Sequence, residues 1–313
     1  MLNTKPLYEK GIVLDRKMLT QSQFSQIQFA ATLNNFSIFY NVIKAVNFVD
    51  DSTVQLSADG VKAVVEDAKS VQATVYITKE CFSVYNITKP KRKLNANGEP
   101  EEEVEPVASF GLNLKVFTDC LSMFLGDEYD SSLKILHKGE GAPLIVILEQ
   151  HGEDDLVTEC SVRTMEAGEI LDFDFEDEHV YSKVNIKGPE FFALLSDLDR
   201  NCDEIEIFLS PNSPHMKLCT YDEYQLESNV EITNCSDMLI SFQSSEATTN
   251  RYKFSHFRLV LRTLALASKV ALRTNKDGLL GLQVMIEYSE QANIFVEYFI
   301  MPLSGCDDLD VTE

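Results

Sequence analysis

The chain has 313 residues, of which 44% are hydrophobic and 25% charged, a balance that excludes a disordered protein. Its 27 Lys and Arg residues against 50 Asp and Glu residues give a formal net charge of −23, which excludes a uniformly basic nucleic-acid binder. Seven widely spaced cysteines, without a Cys-x-x-Cys pair, argue against a disulfide scaffold or a zinc ribbon. No segment has the length and apolarity of a transmembrane span or of a secretory signal, so we expect a location inside the cell without membrane attachment.

The first half combines two amphipathic helices with antiparallel strands. Apolar residues at helical spacing predict helices at Leu33 to Phe48 and Asn113 to Leu125. The dipeptide Asp59-Gly60 predicts the turn of a hairpin, because its backbone tolerates positive φ. Strands are predicted at 24–32, 53–56, 61–66, 72–77, 82–87, 132–137, 144–149 and 156–165.

A polar insertion interrupts this half at Lys89 to Pro106, where a short basic cluster precedes a run of five glutamates. The composition predicts an exposed loop whose basic and acidic parts offset each other. A nuclear-import signal is the alternative interpretation of the basic cluster.

The second half repeats the order of elements. Helices are predicted from Pro189 to Arg200 and from about His256 to Ser268, with strands at 180–186, 204–209, 216–220, 224–232, 238–243, 270–274, 279–287 and 293–301. Proline suits a helix start, because its fixed φ is already helical. The repetition predicts a duplicated α+β fold with antiparallel sheets behind two helices per half.

An acidic and aromatic run, Glu169 to Glu178, lies between the halves. In an extended backbone, Leu171, Phe173 and Phe175 lie on one side and the carboxylates on the other, which predicts a surface strap. A divalent-metal site formed by the alternating acids is the other interpretation, because hard cations prefer carboxylate ligands. Those acids are Asp172, Asp174 and Glu176.

The outward faces of the four helices are less acidic than the rest of the chain. They carry the basic residues Lys44, Lys115, Arg200, Arg258 and Arg262. Side by side, these faces would form a weakly positive surface suited to phosphate contacts without base reading. The alternative is an ordinary solvated face, since Lys and Arg are good helix formers.

Signatures of catalysis are missing from the sequence. The five histidines form no His-x-x-x-His pair, and neither a Gly-Lys-Ser/Thr phosphate loop nor a Gly-x-Ser-x-Gly elbow occurs. We therefore expect no enzymatic activity, no cofactor and no resident metal ion.

The chain resembles the Rad-one subunit family of the DNA-damage checkpoint clamp, a branch of the sliding clamps. The similarity is carried by Leu171-Asp-Phe-Asp-Phe175, Asp119-Cys-Leu-Ser122, Thr249-Asn-Arg-Tyr-Lys253, Leu280-Gly-Leu-Gln283 and Phe295-Val-Glu-Tyr298. It extends from about residue 24 to residue 301 and departs at the insertion 89–106. It implies clamp domains at 24–165 and 180–303, a connector at 166–179, and tails at 1–23 and 304–313.

The resemblance further implies a nuclear ring of three clamp subunits, two of them different but related proteins, around double-stranded DNA. Its helices would line the hole, so that the five basic residues above face DNA. Ring closure would pair two edge strands, represented by Leu156, Cys160 and Val162 in the first domain and by Tyr224, Leu226 and Val230 in the second. The connector residues Leu171, Phe173 and Phe175 would anchor the strap or border a partner groove.

An ATP-driven loader would open such a ring, which would then recruit a checkpoint-kinase activator and repair enzymes. Two alternatives remain at this point. One is a three-prime to five-prime exonuclease, an activity proposed for the family, and the other is a docking scaffold that never contacts DNA.

Overall fold

The computed structural model describes residues 27–34, 36–88, 106–123, 130–151, 156–173, 175, 180–198, 202–221 and 227–303. These residues form four α-helices, one short 3-10 helix (Lys79–Cys81) and nineteen β-strands. The helices are α1 (Ser37–Val46), α2 (Leu114–Ser122), α3 (Gly188–Asp197) and α4 (Phe254–Leu264). None of the helices in this part of the chain is long and apolar enough to span a membrane.

The strands are numbered in chain order across both halves. The first half contains β1 (Phe29–Leu33), β2 (Asp51–Leu56), β3 (Gly60–Asp67), β4 (Val71–Thr78), β5 (Val84–Ile87), β6 (Ala108–Asn113), β7 (Asp130–His137), β8 (Leu144–His151), β9 (Leu156–Val162) and β10 (Thr164–Met165). The second half contains β11 (Val180–Lys187), β12 (Glu204–Leu209), β13 (Met216–Tyr221), β14 (Glu227–Ile232), β15 (Leu239–Ser244), β16 (Thr248–Lys253), β17 (Lys269–Asn275), β18 (Leu280–Glu287) and β19 (Asn293–Ile300).

Sheet topology repeats between the halves. The first half has a five-stranded sheet, β5-β1-β7-β8-β9, and the second half has the same order in β15-β11-β17-β18-β19. Likewise β6-β2-β3-β4 corresponds to β16-β12-β13-β14. One antiparallel pair, β4 with β19, joins the halves into a ten-stranded sheet, with Val75 opposite Val296. The predicted duplicated α+β fold is confirmed.

The four helices form one row on the same side of the sheets. Helix α1 contacts α2 on one side and α4 on the other, and α4 contacts α3, so the order across the molecule is α2-α1-α4-α3. Each helix buries an apolar face in a common core, for example Phe39 and Ile43 of α1 and Phe257 and Val260 of α4. Because burial of apolar area is the main stabilising term, this core fixes the row in place.

The main differences from the sequence-based prediction concern strands β6 and β16, the strand predicted at 156–165 and the start of α4. Strands β6 and β16 are absent from it, because Ser, Gly, Thr and Asn dilute their apolar alternation. The single strand predicted at 156–165 breaks at Arg163, so that β9 stays in the five-stranded sheet while β10 pairs with β6. The helix predicted from about His256 begins at Phe254, directly after β16.

Candidate nucleic-acid interface, connector groove and sheet edges

Four of the five predicted DNA-facing residues lie on the exposed side of the helix row. Lys115 is on α2, Lys44 on α1, and Arg258 and Arg262 on α4, and all four side chains are exposed. The fifth, Arg200, lies outside the described residues. The structure therefore brings the four cations onto one surface spread over three adjacent helices.

The local surroundings of these cations differ. Lys115 Nζ is 3.2 Å from a carboxylate oxygen of Asp119, one helical turn away, so part of its charge is offset. Lys44 Nζ lies 5.4 Å from the centre of the Tyr40 ring.

Arg258 is the most firmly placed of the four. Its Nη2 donates to the Cys202 carbonyl oxygen at 3.3 Å, and its guanidinium carbon lies 5.3 Å from the centre of the Phe254 ring. The donor groups not engaged by Cys202 remain available to a phosphate, because a guanidinium carries five N–H donors.

The metal interpretation of the connector receives no support from the geometry that the structure describes. Within the described residues, no three His, Cys, Asp or Glu side chains come together in a metal-binding arrangement. Asp172 is exposed, whereas Asp174 and Glu176 lie outside the described residues.

Two histidines of the described residues, His137 and His256, are buried. His137 Nε2 donates to the Ala142 carbonyl oxygen at 3.1 Å, and its ring lies 4.5 Å from the Phe110 ring. Burial lowers the pKa of His137, and that hydrogen bond opposes the shift. Burial, followed by the nearby Lys253 charge, also lowers the pKa of His256, while Asp67 raises it. Burial therefore favours the neutral form of both imidazoles.

The connector is seated on the outer face of the ten-stranded sheet by Phe175. This side chain is 7% exposed, its ring stacks on Phe299 with centroids 5.6 Å apart, and the Arg273 guanidinium lies 5.2 Å from it. Gly281 in β18 leaves the space for the ring, because a Cβ there would lie 2.5 Å from Phe175. Phe175 therefore anchors the connector.

The other two connector residues border an open groove. Phe173 is half-buried and also stacks on Phe299, with centroids 5.7 Å apart. Leu171 is half-buried, and its carbonyl oxygen accepts a 2.9 Å hydrogen bond from Gln72 Nε2. The groove beside them has a volume of about 340 Å³ and is lined by both charged and polar groups, among them Lys62, Gln283 and Glu297.

The predicted edge strands lie at the two outer margins of the molecule. In the sheets formed by the described residues, β9 is the last strand of the five-stranded sheet and β14 the last of the four-stranded one. Leu156 opens β9, Val162 is buried, and Cys160 and Val230 are half-buried against the core. Tyr224 and Leu226 lie outside the described residues.

Two features of the structure are missing from the sequence-based prediction. One is Gly281, whose importance depends on the distant Phe175 and leaves no local signal in the sequence. The other is a pair of exposed apolar side chains, Val116 (48% exposed) on α2 and Met123 (62% exposed) directly after its last residue. The spacing of Val116, Cys120 and Met123 is helical and identifies a second apolar face on this helix.

Comparisons with known proteins identify relatives along almost the whole chain. The sequence profile of the family described as "Repair protein Rad1/Rec1/Rad17" matches residues 28–286. The "DNA repair protein Rad1" of Drosophila melanogaster is 31% identical over 288 residues, which cover 91% of this chain and 98% of that protein. The "Cell cycle checkpoint protein RAD1" of Mus musculus is 32% identical over 291 residues, covering 91% of this chain and 97% of that protein.

A solved structure and a more distant relative complete the comparison. The Proliferating Cellular Nuclear Antigen of Entamoeba histolytica aligns with a TM-score of 0.68 at 14% identity, covering 89% of this chain and 100% of that chain, which shows a sliding-clamp fold. The "DNA repair exonuclease REC1" of Mycosarcoma maydis is 25% identical over 186 residues, or 49% of this chain and 39% of that protein.

Proposed function

Because the chain belongs to the Rad1/Rec1/Rad17 family of repair proteins, we propose that it is a non-catalytic subunit of a DNA-damage checkpoint clamp, a ring loaded around duplex DNA. The observation that carries this proposal is the internal repetition of the joint between β4 and β19. By topology, β14 corresponds to β4 and β9 to β19. The molecule thus has two complementary strand edges at its margins, and the β4–β19 pair supports the proposal that such edges pair between chains.

Open strand edges favour association with another chain, because their backbone N–H and C=O groups seek partners. In the ring, β9 pairs with a β14-like edge of one neighbour and β14 pairs with a β9-like edge of the other. These pairs supply hydrogen-bond partners for the backbone groups of both edge strands and continue the sheets into each neighbour. Three such subunits, two of them related but different chains, close a ring whose helices face the hole. Cys160, Val162 and Val230 then lie at the subunit joints, together with Leu156, Tyr224 and Leu226.

Duplex DNA passes through the hole, where the exposed cations of the helix row face its phosphates. Lys44, Lys115, Arg258 and Arg262 contact phosphates, and Arg200, which lies outside the described residues, is proposed for the same role. Such contacts hold DNA without reading its sequence, which suits a clamp that moves along the duplex. Because this chain of net charge −23 offers few basic residues to the hole, the partner subunits contribute further basic residues to its lining.

The outer face serves in recruitment. The groove beside Leu171 and Phe173, with Phe175 as its fixed end, accepts segments of repair enzymes or of a checkpoint-kinase activator. An ATP-driven loader opens and closes the ring, and the site of action is the nucleus. This proposal requires no chemistry from the chain itself.

An exonuclease is the second candidate, and the name of the REC1 relative is the observation in its favour. Metal-dependent digestion of DNA that copurifies with the chain and disappears in Asp172→Ala or Asp174→Ala would establish it. The clamp proposal expects equal, background digestion in the original chain and in both variants.

The mass of the reconstituted complex tests the clamp proposal. Coexpression with the two other clamp-fold chains of the same organism is expected to give one complex with a single copy of each chain, measured by native mass spectrometry. A chain that stays monomeric, or that forms a homotrimer while those partners are present, would exclude the proposal.

A further inference from the structure

The outer flank of α2 is an apolar surface that no helix among the described residues covers. Val116 is 48% exposed and Met123 62% exposed, one turn on either side of the half-buried Cys120. The opposite flank faces α1, since Asn47 Nδ2 donates to Thr118 Oγ1 at 3.3 Å. Helix α2 lies against the edge strand β9, where Cys120 neighbours Cys160. Burial and then that neighbouring thiol raise the pKa of Cys120. The flank therefore borders the open β9 margin.

The duplicated fold shows what normally covers this flank. Helix α2 directly follows β6 as α4 directly follows β16, so Val116, Cys120 and Met123 correspond to His256, Val260 and Thr263. In α4 these positions are 9%, 0% and 0% exposed. Arg258, on the other side of α4, bonds to Cys202 beyond the end of α3, so the buried flank is the one that faces α1.

The part of α1 that lies on α4 is apolar. Asn47 places one flank of α1 against α2, and the other flank bears Ile38, Val42 and Ala45. Val42 is 0% exposed and Ala45 6% exposed, and Ile38 is half-buried. Within the chain, the apolar flank of α1, the first helix of the first half, thus covers α4, the second helix of the second half.

Helix α3 is the counterpart of α1, and it carries acids at the same places. The buried residues Phe39, Ile43 and Val46 of α1 correspond to Phe191 and Leu195 of α3 and to Leu198, which directly follows it. The residues immediately before them are Ile38, Val42 and Ala45 in α1. In α3 they are Glu190, Leu194 and Asp197, of which both acids are exposed.

We propose that the Val116, Cys120 and Met123 flank of α2 receives an apolar first-helix flank from a different chain of the same fold, and that Glu190 and Asp197 keep a second copy of this chain from occupying it. The proposal rests on the ring described under Proposed function. A second copy would press two carboxylates against apolar side chains without cationic partners, which is costly because the charges lose their hydration. An apolar partner flank has no such cost.

The two margins therefore select partners of different chemistry. At the α2 margin the fitting partner resembles α1, with aliphatic residues at the three flank positions. At the α3 margin the fitting partner resembles α4 in shape but offers cationic or hydrated groups to Glu190 and Asp197. Association at the α2 margin is hydrophobic and insensitive to salt, whereas association at the α3 margin weakens as salt screens the charges.

The first test changes the apolar flank in the full chain. Val116→Asp/Met123→Asp is expected to weaken binding of one clamp-fold partner by roughly 30-fold or more, as for other buried interface anchors, while the other partner binds unchanged. Ile240→Asp/Met301→Asp is the matched control, because Ile240 is 49% exposed and Met301 41% exposed elsewhere on the surface. Unchanged affinity of the flank variant for both partners would overturn the inference, whereas a chain that binds neither partner before mutation would overturn the ring itself.

The second test replaces the two acids of α3 by apolar residues, so that α3 of one copy can pack on the apolar flank of α2 of another copy. Glu190→Ile/Asp197→Ala recreates the flank of α1 on α3, so the purified chain is expected to change from a monomer to a concentration-dependent oligomer in sedimentation equilibrium. Adding Val116→Asp/Met123→Asp should return it to a monomer. A variant that stays monomeric over the whole concentration range would contradict the role assigned to the two acids.

Discussion

Phe175 and Gly281 are far apart in the sequence, but the Phe175 ring packs directly on Gly281 in the fold. The aromatic and acidic alternation predicts that one side of the connector packs, and the structure places Phe175 in that role. The sequence does not indicate where the ring packs, because the receiving residue is defined only by the absence of a side chain. Phe173 and Phe175 stack on Phe299 at nearly the same distance, and only Phe175 also lies against Gly281 and the Arg273 guanidinium, which sequence patterns do not predict.

Gly281→Ala is therefore expected to displace the Phe175 ring and to destabilise the protein by about 1–3 kcal/mol, as overpacking does in other cores. Denaturant unfolding measures the change in the free energy of unfolding. The same substitution in a Phe175→Ala background should cost clearly less, because the clash with the ring is gone. Equal costs in the two backgrounds would show that Phe175 does not occupy this place.

His137 and His256 give the protein a predictable response to mild acid. Burial lowers the pKa of both groups in the folded state, whereas in the unfolded chain a histidine takes up a proton near pH 6.5. The unfolded state therefore binds more protons between the folded and unfolded pKa values, and stability falls as the pH decreases through about 6.5.

Urea unfolding at pH 7.5 and pH 6 is expected to show this loss of stability. A His137→Gln/His256→Gln variant should lose less stability over the same interval, whatever its starting value. A variant with the same loss as the original chain would assign the pH dependence to other groups.

The elements show which parts of the fold follow from local patterns. Apolar periodicity predicts all four helices of the described residues and most strands, because the core demands it at 3.6-residue or 2-residue spacing. It misses β6 and β16, two equivalent strands that lead directly into helices α2 and α4. Their formation depends on pairing with β2 and β12, which are distant in sequence.

Helical periodicity predicts which face of a helix each basic residue occupies, but it does not predict the contacts that its side chain makes. Helical spacing places Arg258 and Arg262 on the outward side of α4, and both are exposed. The bond from Arg258 to Cys202 and the stacking near Phe254 arise from tertiary packing.

The helix row is expected to supply phosphate contacts in the assembled ring. Arg258→Glu/Arg262→Glu should weaken DNA binding and lower the slope of log affinity against log salt by about 2, because each phosphate that is no longer neutralised lowers it by about 1. Fluorescence anisotropy over a salt series measures this slope.

Lys62→Glu/Lys276→Glu is the matched control, because it makes the same charge change in the outer groove and in the turn between β17 and β18. An equal effect of both pairs would indicate a general charge effect and favour a scaffold that does not contact DNA.

At the scale of the whole molecule, the duplicated topology explains why a strongly acidic chain can belong to a DNA-encircling ring. The joint between β4 and β19 uses uncharged residues almost throughout, and the fold repeats its geometry at two open margins. Net charge alone argues against DNA, whereas the distribution of charge leaves the helix row nearly neutral. Sequence resemblance implies the proposed ring, whereas only the structure shows that the two margins of the molecule differ in charge and apolarity.

Topological retention is the central claim, since a closed ring holds DNA by enclosure rather than by attraction. The complex, loaded onto closed circular DNA, is expected to remain bound in about 1 M salt, where charges are screened beyond about 3 Å, and to leave when the circle is cut once. Cosedimentation before and after linearisation measures this directly. Release from intact circles at high salt, or equal retention on circular and linear DNA, would contradict the account.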